Sequence, residues 1–179
     1  MKIEQPPVSQ PPQAYLDMIE PLIAQAKGFL EDGIKLPATA FVGNFTTKEG
    51  TSIYMDPVDD RAKDEAADKI KRTATLLDAD FVFTIMEAWS LRPDKVLQMN
   101  AILDKYGSIG QSPYKVDVCS FMLETAHGVW QSLVPIKPKG ISKKKRTIGP
   151  VEFRRYTETQ GRFANLLPNK EGVPITLPH

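Results

Sequence analysis

Cysteine is nearly missing from this sequence: Cys119 is the only one in 179 residues. One thiol cannot close an internal disulfide, and it cannot supply a structural zinc site that needs several thiolates. Histidine is almost as scarce, with His127 and His179 alone. No stretch approaches the ~18 uninterrupted apolar residues of a membrane span. The opening MKIEQPPVSQPPQ has one basic residue and no apolar run, so the pattern of a secretory signal is lacking. There is no internal repeat. Together these absences predict a cytoplasmic domain that folds on its own apolar core, with no metal and no cofactor. The 41% hydrophobic content suits that expectation, since a chain of this length buries roughly 70% of its unfolded surface.

Charge of one sign is not missing overall, but it is unevenly placed. Residues 1–110 carry 12 basic and 17 acidic side chains, a net −5, while residues 111–179 carry 11 and 5, a net +6. An acidic front half and a basic back half either attract each other within the fold or leave a basic pole on the surface.

Residues 1–13 hold four of the 15 prolines, Pro6, Pro7, Pro11 and Pro12. Proline fixes φ and lacks an amide hydrogen, so this stretch reads as an extended arm. Tyr15, Met18, Ile19, Leu22, Ala26, Phe29 and Leu30 then recur at intervals of three and four, which is one helical stripe. Pro21 inside it predicts a kink or restart, and Gly33 suits the stop. Residues 38–45 and 51–55 are rich in β-formers, and 46–50 has hairpin length, with Gly50 able to take positive φ. Asp59 and Asp60 open a second helix with the apolar line Ala62, Ala66, Ile70, Ala74 and Leu77. Glu65 with Lys69 and Asp68 with Arg72 are favourably spaced pairs on it.

Residues 81–86, FVFTIM, are almost wholly apolar. A run of that length after a helix predicts a central strand covered on both faces. The surrounding stretch 79–89 has the look of a core strand in a small bacterial or phage protein, and it carries no function with it. Pro93 and Gly107 bracket a third helix, with Val96, Met99, Leu103 and Tyr106 on one side. Strands are expected at 116–123, 129–136 and 148–156, with Pro135 and Pro150 marking their weak ends. This order predicts an α+β fold, a mostly antiparallel sheet of about five or six strands with two or three helices packed on one face. Residues 14–160 would form that single domain, between the arm and an irregular tail at 161–179.

Three constellations carry chemistry. The first is basic: Lys137, Lys139, Lys143, Lys144, Lys145 and Arg146 fall in the loop 137–146, and Arg154 and Arg155 follow on the next strand. Lysines at a hairpin tip suit phosphate contacts, each of which releases counterions. The same lysines suit a solvated loop or a strand edge guarded against aggregation. No recognition helix, zinc knuckle or aromatic pair for base stacking accompanies them. The second is Cys119 with His127, where an imidazole would have to lower the thiol pKa. A mid-strand cysteine is more simply a buried structural thiol. The third is carboxylate: Glu87 at the expected end of the central strand, with Asp117 and Glu124 on its neighbour, a set able to divide acid and base roles. Asp56, Asp59 and Asp60 also cluster, although helix capping accounts for the last two. No metal-binding or phosphate-loop spacing is present, and Gly107–Gly110 lacks the Lys-Ser/Thr that a phosphate loop requires. Trp89, Trp130, Phe81, Phe83, Phe121 and Phe153 read as core and cross-strand contacts.

The leading expectation is a non-enzymatic interaction or oligomeric module, with a protein partner or a second copy of itself and the arm lying along a neighbouring subunit. Nucleic-acid binding through the basic loop is the alternative. A small hydrolase or transferase using His127 with Glu87, Glu124 or Cys119 is the third reading.

Overall fold

The apolar run at 81–86 sets the architecture. The computed structural model describes residues 6–55, 59–156 and 165–168. Asp56, His179 and most of the tail lie outside these. The run opens a long strand, β3, Phe81–Leu91, in which the first five residues are all buried. Phe81, Phe83 and Ile85 enter one core and Val82 the other. Successive strand residues point to opposite faces, so a run without polar alternation must be covered twice.

The cover comes from two helices. Helix α1, Gln13–Glu31, buries Tyr15, Ile19, Ala26 and Leu30 against the Phe83 face. Helix α2, Asp60–Leu76, buries Ala66, Ile70 and Ala74 against the Val82 face. Packing of the helices on a single face is therefore overturned. The α1 core is aromatic: Phe83 stacks between Phe41 at 6.5 Å and Phe121 at 6.3 Å. The α2 core is built largely of alanine, valine and isoleucine.

Helix α1 runs unbroken through Pro21, with no restart. That residue is exposed, so the carbonyl it leaves without a donor can be solvated. Gly33 follows the C-cap at φ 75°, as a left-handed stop requires. The Asp59 side chain accepts from the Ala62 amide at 2.7 Å and caps α2. Glu65 turns back to Arg61 at 3.0 Å rather than forward to Lys69.

Strands β1, Thr39–Gly43, and β2, Gly50–Tyr54, form the first hairpin. Its left-handed position is Lys48, at φ 61°, and not Gly50. Asn44 fixes this turn from within. Its side-chain oxygen accepts from the Thr46 and Thr47 amides, and its side-chain nitrogen donates to the Leu77 and Asp78 carbonyls at the end of α2. After β3 the expected third helix is split, a 3-10 turn at Pro93–Gln98 running into α3, Met99–Tyr106. It buries Ile102, while Met99 and Leu103 remain exposed.

Strands β4, Lys115–Thr125, and β5, Gly128–Pro138, make a long second hairpin. The single strand expected at 148–156 is two short ones, β6, Arg146–Ile148, and β7, Arg154–Tyr156. Both pair with β5. Residues Val129–Gln131 take β7, and Ile136–Pro138 take β6. The described residues form a curled antiparallel sheet of seven strands in the order β2-β1-β3-β4-β5-β6, with β7 also on β5. The described part of the arm lies on this same chain: Val8 bridges Arg154, and the Ser9 amide donates to the Phe153 carbonyl at 2.8 Å.

Candidate functional site

Six of the eight basic candidates converge where β5 ends and β6 begins. Seven residues, 139–145, close this hairpin. The Lys139 amide donates to the Lys145 carbonyl at 2.9 Å. The Ser142 hydroxyl accepts from the Lys144 and Lys145 amides, and Gly140 takes φ 61°. Two carboxylates pin the base of the loop. Glu31, at the end of α1, accepts from Lys139 at 2.7 Å and from the Thr147 hydroxyl at 3.0 Å. These bonds hold its carboxyl below the ordinary value, with Lys139 the larger cause. Glu87 takes Arg146 in a two-point pair, at 2.6 and 3.3 Å. This pair raises the guanidinium pKa above its ordinary value. Lys144 lies near Gly33, where an added Cβ would make ordinary van der Waals contact with it.

Two cations thus serve as anchors, and four are left to act. Lys137, Lys143, Lys144 and Lys145 are exposed, and among the described residues none of them enters an ion pair. Ile141 stands fully exposed at the tip. Unpaired lysines on and beside a short braced loop make a concentrated cationic surface, while Asp117, on β4 opposite Trp89, directs its charge at Arg146.

An aromatic patch that the sequence reading missed lies on β3 beyond the Glu87–Arg146 pair. Trp89 is 57% exposed rather than a core residue. It lies two positions beyond Glu87, on the same face of β3, and so about 7 Å along the strand from the carboxylate that holds Arg146. Gly110 supports the indole closely, since a Cβ there would come within 2.4 Å of it, and the Lys115 ammonium sits 5.0 Å from the ring centroid. At the same end of the sheet Lys95 and Arg92 lie over Tyr114, at 4.8 and 5.5 Å. Tyr106 meets Tyr114 edge-on at 6.4 Å. No local pattern joins Trp89 to a loop some fifty residues later. The link runs through Glu87, its neighbour on that face of β3, which holds Arg146 at the base of the loop.

The candidate catalytic residues are not gathered in this way. Cys119 and Glu87 are directly paired across β3 and β4. Glu87 sits mid-strand, not at a strand end, and is engaged by Arg146. Cys119 is wholly buried. Burial first, and then the charge of Glu87, push its thiol up to about 12 against the pull of Arg146. That makes it a protonated core group, not a nucleophile. His127 occupies the turn beyond Thr125, roughly 20 Å along β4 from Cys119, with its ring 6.5 Å from Tyr15. Glu124 faces the α2 side, where its oxygens accept from the Leu166 and Leu167 amides at 3.0 and 3.3 Å. It docks a segment of chain.

Arg154 and Arg155 lie at the His127 end, away from the lysine loop. Arg154 donates to the Pro6 carbonyl and Arg155 to the His127 carbonyl, and Arg155 also covers the Trp130 ring at 5.4 Å. The eight basic candidates therefore split into six and two. Among the described residues no three metal-ligating side chains cluster, and no helix is long and apolar enough to cross a membrane. Compared with protein families, curated proteins and solved structures, the chain matches none of them, so the functional reading rests on this geometry.

Proposed function

We propose that the chain is a non-enzymatic binding protein that grips single-stranded nucleic acid with the β5–β6 end of its sheet. One observation carries this reading: three unpaired lysines stand on a loop braced by Glu31 and Glu87, with a fourth, Lys137, on the strand leading into it, and the exposed indole of Trp89 lies two residues from the same Glu87. A backbone-tracking cationic groove beside a stacking platform is the pairing that single strands require. Phosphates engage the lysines, and an unpaired base stacks on Trp89, displacing Lys115 from one side of the ring. A duplex keeps its bases stacked inside and leaves the indole unused. The buried, protonated Cys119 and the distance of His127 from it leave the nucleophilic reading without its parts.

The test is fluorescence anisotropy with labelled single-stranded DNA, RNA and duplex DNA across a salt series. Each phosphate contact on a single strand contributes about 0.7 to the slope of log affinity on log salt, so Lys143, Lys144 and Lys145 all changed to Ala should flatten that slope by about 2. Trp89→Ala should weaken binding by about 1–3 kcal/mol while leaving the slope in place. An intact protein with no salt-sensitive affinity for any of the three would dispose of the proposal.

A further inference from the structure

The two edges of the sheet are built differently. Strands β6 and β7 are three residues each and carry Arg146, Arg154 and Arg155. Short strands with charges are the usual guards against edge-to-edge pairing. The opposite edge, β2, has the sequence Gly50-Thr51-Ser52-Ile53-Tyr54, with no charge and no proline. Among the described residues no strand pairs with its outer side. Its side chains are exposed apart from Ile53, and Tyr54 is 63% exposed.

Hydrogen bonding shows which groups face outward. The Asn44 amide donates to the Glu49 carbonyl, and the Met55 amide donates to the Ala38 carbonyl. In an antiparallel ladder the bonded residues alternate, so odd-numbered residues of β2 point their backbone groups at β1. Gly50, Ser52 and Tyr54 point theirs away.

We infer that β2 is the seam of a twofold dimer, pairing antiparallel with β2 of a second copy about Ser52. In this register Ser52 faces itself across the axis, and each Tyr54 faces Gly50 of the other copy. All three positions are bonded pairs, so every outward amide and carbonyl of the strand finds a partner. An aromatic ring laid across a glycine is a favourable cross-strand pair, because the ring covers the backbone that glycine exposes. No like charges meet. The seam is short, below the ~1,200 Å² of standard interfaces, so association in the roughly micromolar range is expected. It uses the edge opposite the lysine loop and does not depend on nucleic-acid binding.

Sedimentation of the full chain across roughly a hundredfold concentration range, around that micromolar affinity, tests it. The wild type should pass from monomer to dimer as concentration rises. Ser52→Lys and Ser52→Glu, each at an exposed position and each checked for native circular dichroism, should be monomeric alone because like charges meet on the axis. Their equimolar mixture should dimerise. Amide exchange at Ser52 and Tyr54 of the wild type should slow as concentration rises. A wild type that stays monomeric overturns the inference. So does either variant dimerising alone, a mixture that fails to associate, or exchange that ignores concentration.

Discussion

Raising the pH should dismantle the α1 core through two groups that hold protons only while folded. Cys119 is fully buried and Tyr15 is 2% exposed. Burial is the main cause of both shifts, taking the thiol from 9.0 to about 12 and the phenol from 10.0 to about 12. For Tyr15 a hydrogen bond with Thr125 pulls down and the charge of Asp80 adds to the rise. Below pH 9 both groups are protonated in either state, and their contribution to stability is fully present. Above it the unfolded thiol releases its proton and the folded one keeps it. Stability then falls by about 1.36 kcal/mol per pH unit until the folded thiol titrates, ~4 kcal/mol in all. Tyr15 adds the same slope from pH 10, for ~3 kcal/mol more. Against a total of about 5–15 kcal/mol, this brings alkaline unfolding within reach between pH 10 and 12. Urea unfolding followed by circular dichroism at a series of pH values measures the slope. Cys119→Ala shifts the whole curve by its lost packing, so the slope and not the offset is diagnostic. Its slope between pH 9 and 11 should be shallower than wild type by about 1.36 kcal/mol per unit, and Tyr15→Phe should do the same from pH 10. Parallel curves for wild type and both variants would refute the reasoning.

Two further substitutions probe the neighbourhood of the site and the opposite face. Glu124→Gln removes the charge from the group that accepts both the Leu166 and Leu167 amides. It should cost about 2 kcal/mol in urea unfolding and speed exchange at those two amides, and unchanged exchange counts against the docking role. Gly110→Ala puts a methyl group where Trp89 already sits. The indole must move, at a cost of about 1–3 kcal/mol. With Trp130→Phe as background, the Trp89 emission should shift, and an unaltered spectrum would show that the contact is loose.

Much of the framework was legible because local signals were strong. Asp59 and the alanine-isoleucine line marked α2, and the run from Phe81 marked the central strand. The run also contained its own correction. A strand buried on both faces needs cover on both, which is incompatible with helices on one. The period of a helix gives the stripe to be buried but not the side of the sheet that receives it. That depends on how large odd-numbered residues such as Phe41, Phe83 and Phe121 and smaller even-numbered ones such as Ala40 and Val82 sort between the faces. The split of 148–156 into two strands follows Gly149 and Pro150, which directly succeed the end of β6 and interrupt the ladder. For the site, the lysines were visible as a charge run. The pinning of Lys139 and Arg146, the exposure of Trp89 and the diversion of Arg154 and Arg155 were not, since each depends on partners 21 to 148 residues away.

The separation of the α1 and α2 cores by a single layer of backbone has a consequence for how this sequence can change. Side chains on opposite sides of the sheet pack into separate cores, so the costs of well-separated substitutions should sum rather than compound. One side can be redrawn while the other keeps the chain above its folding threshold. The lysine hairpin is tied to the Phe83 side through Glu31 and Glu87, so the alanine-rich side is where sequence drift is least constrained by binding.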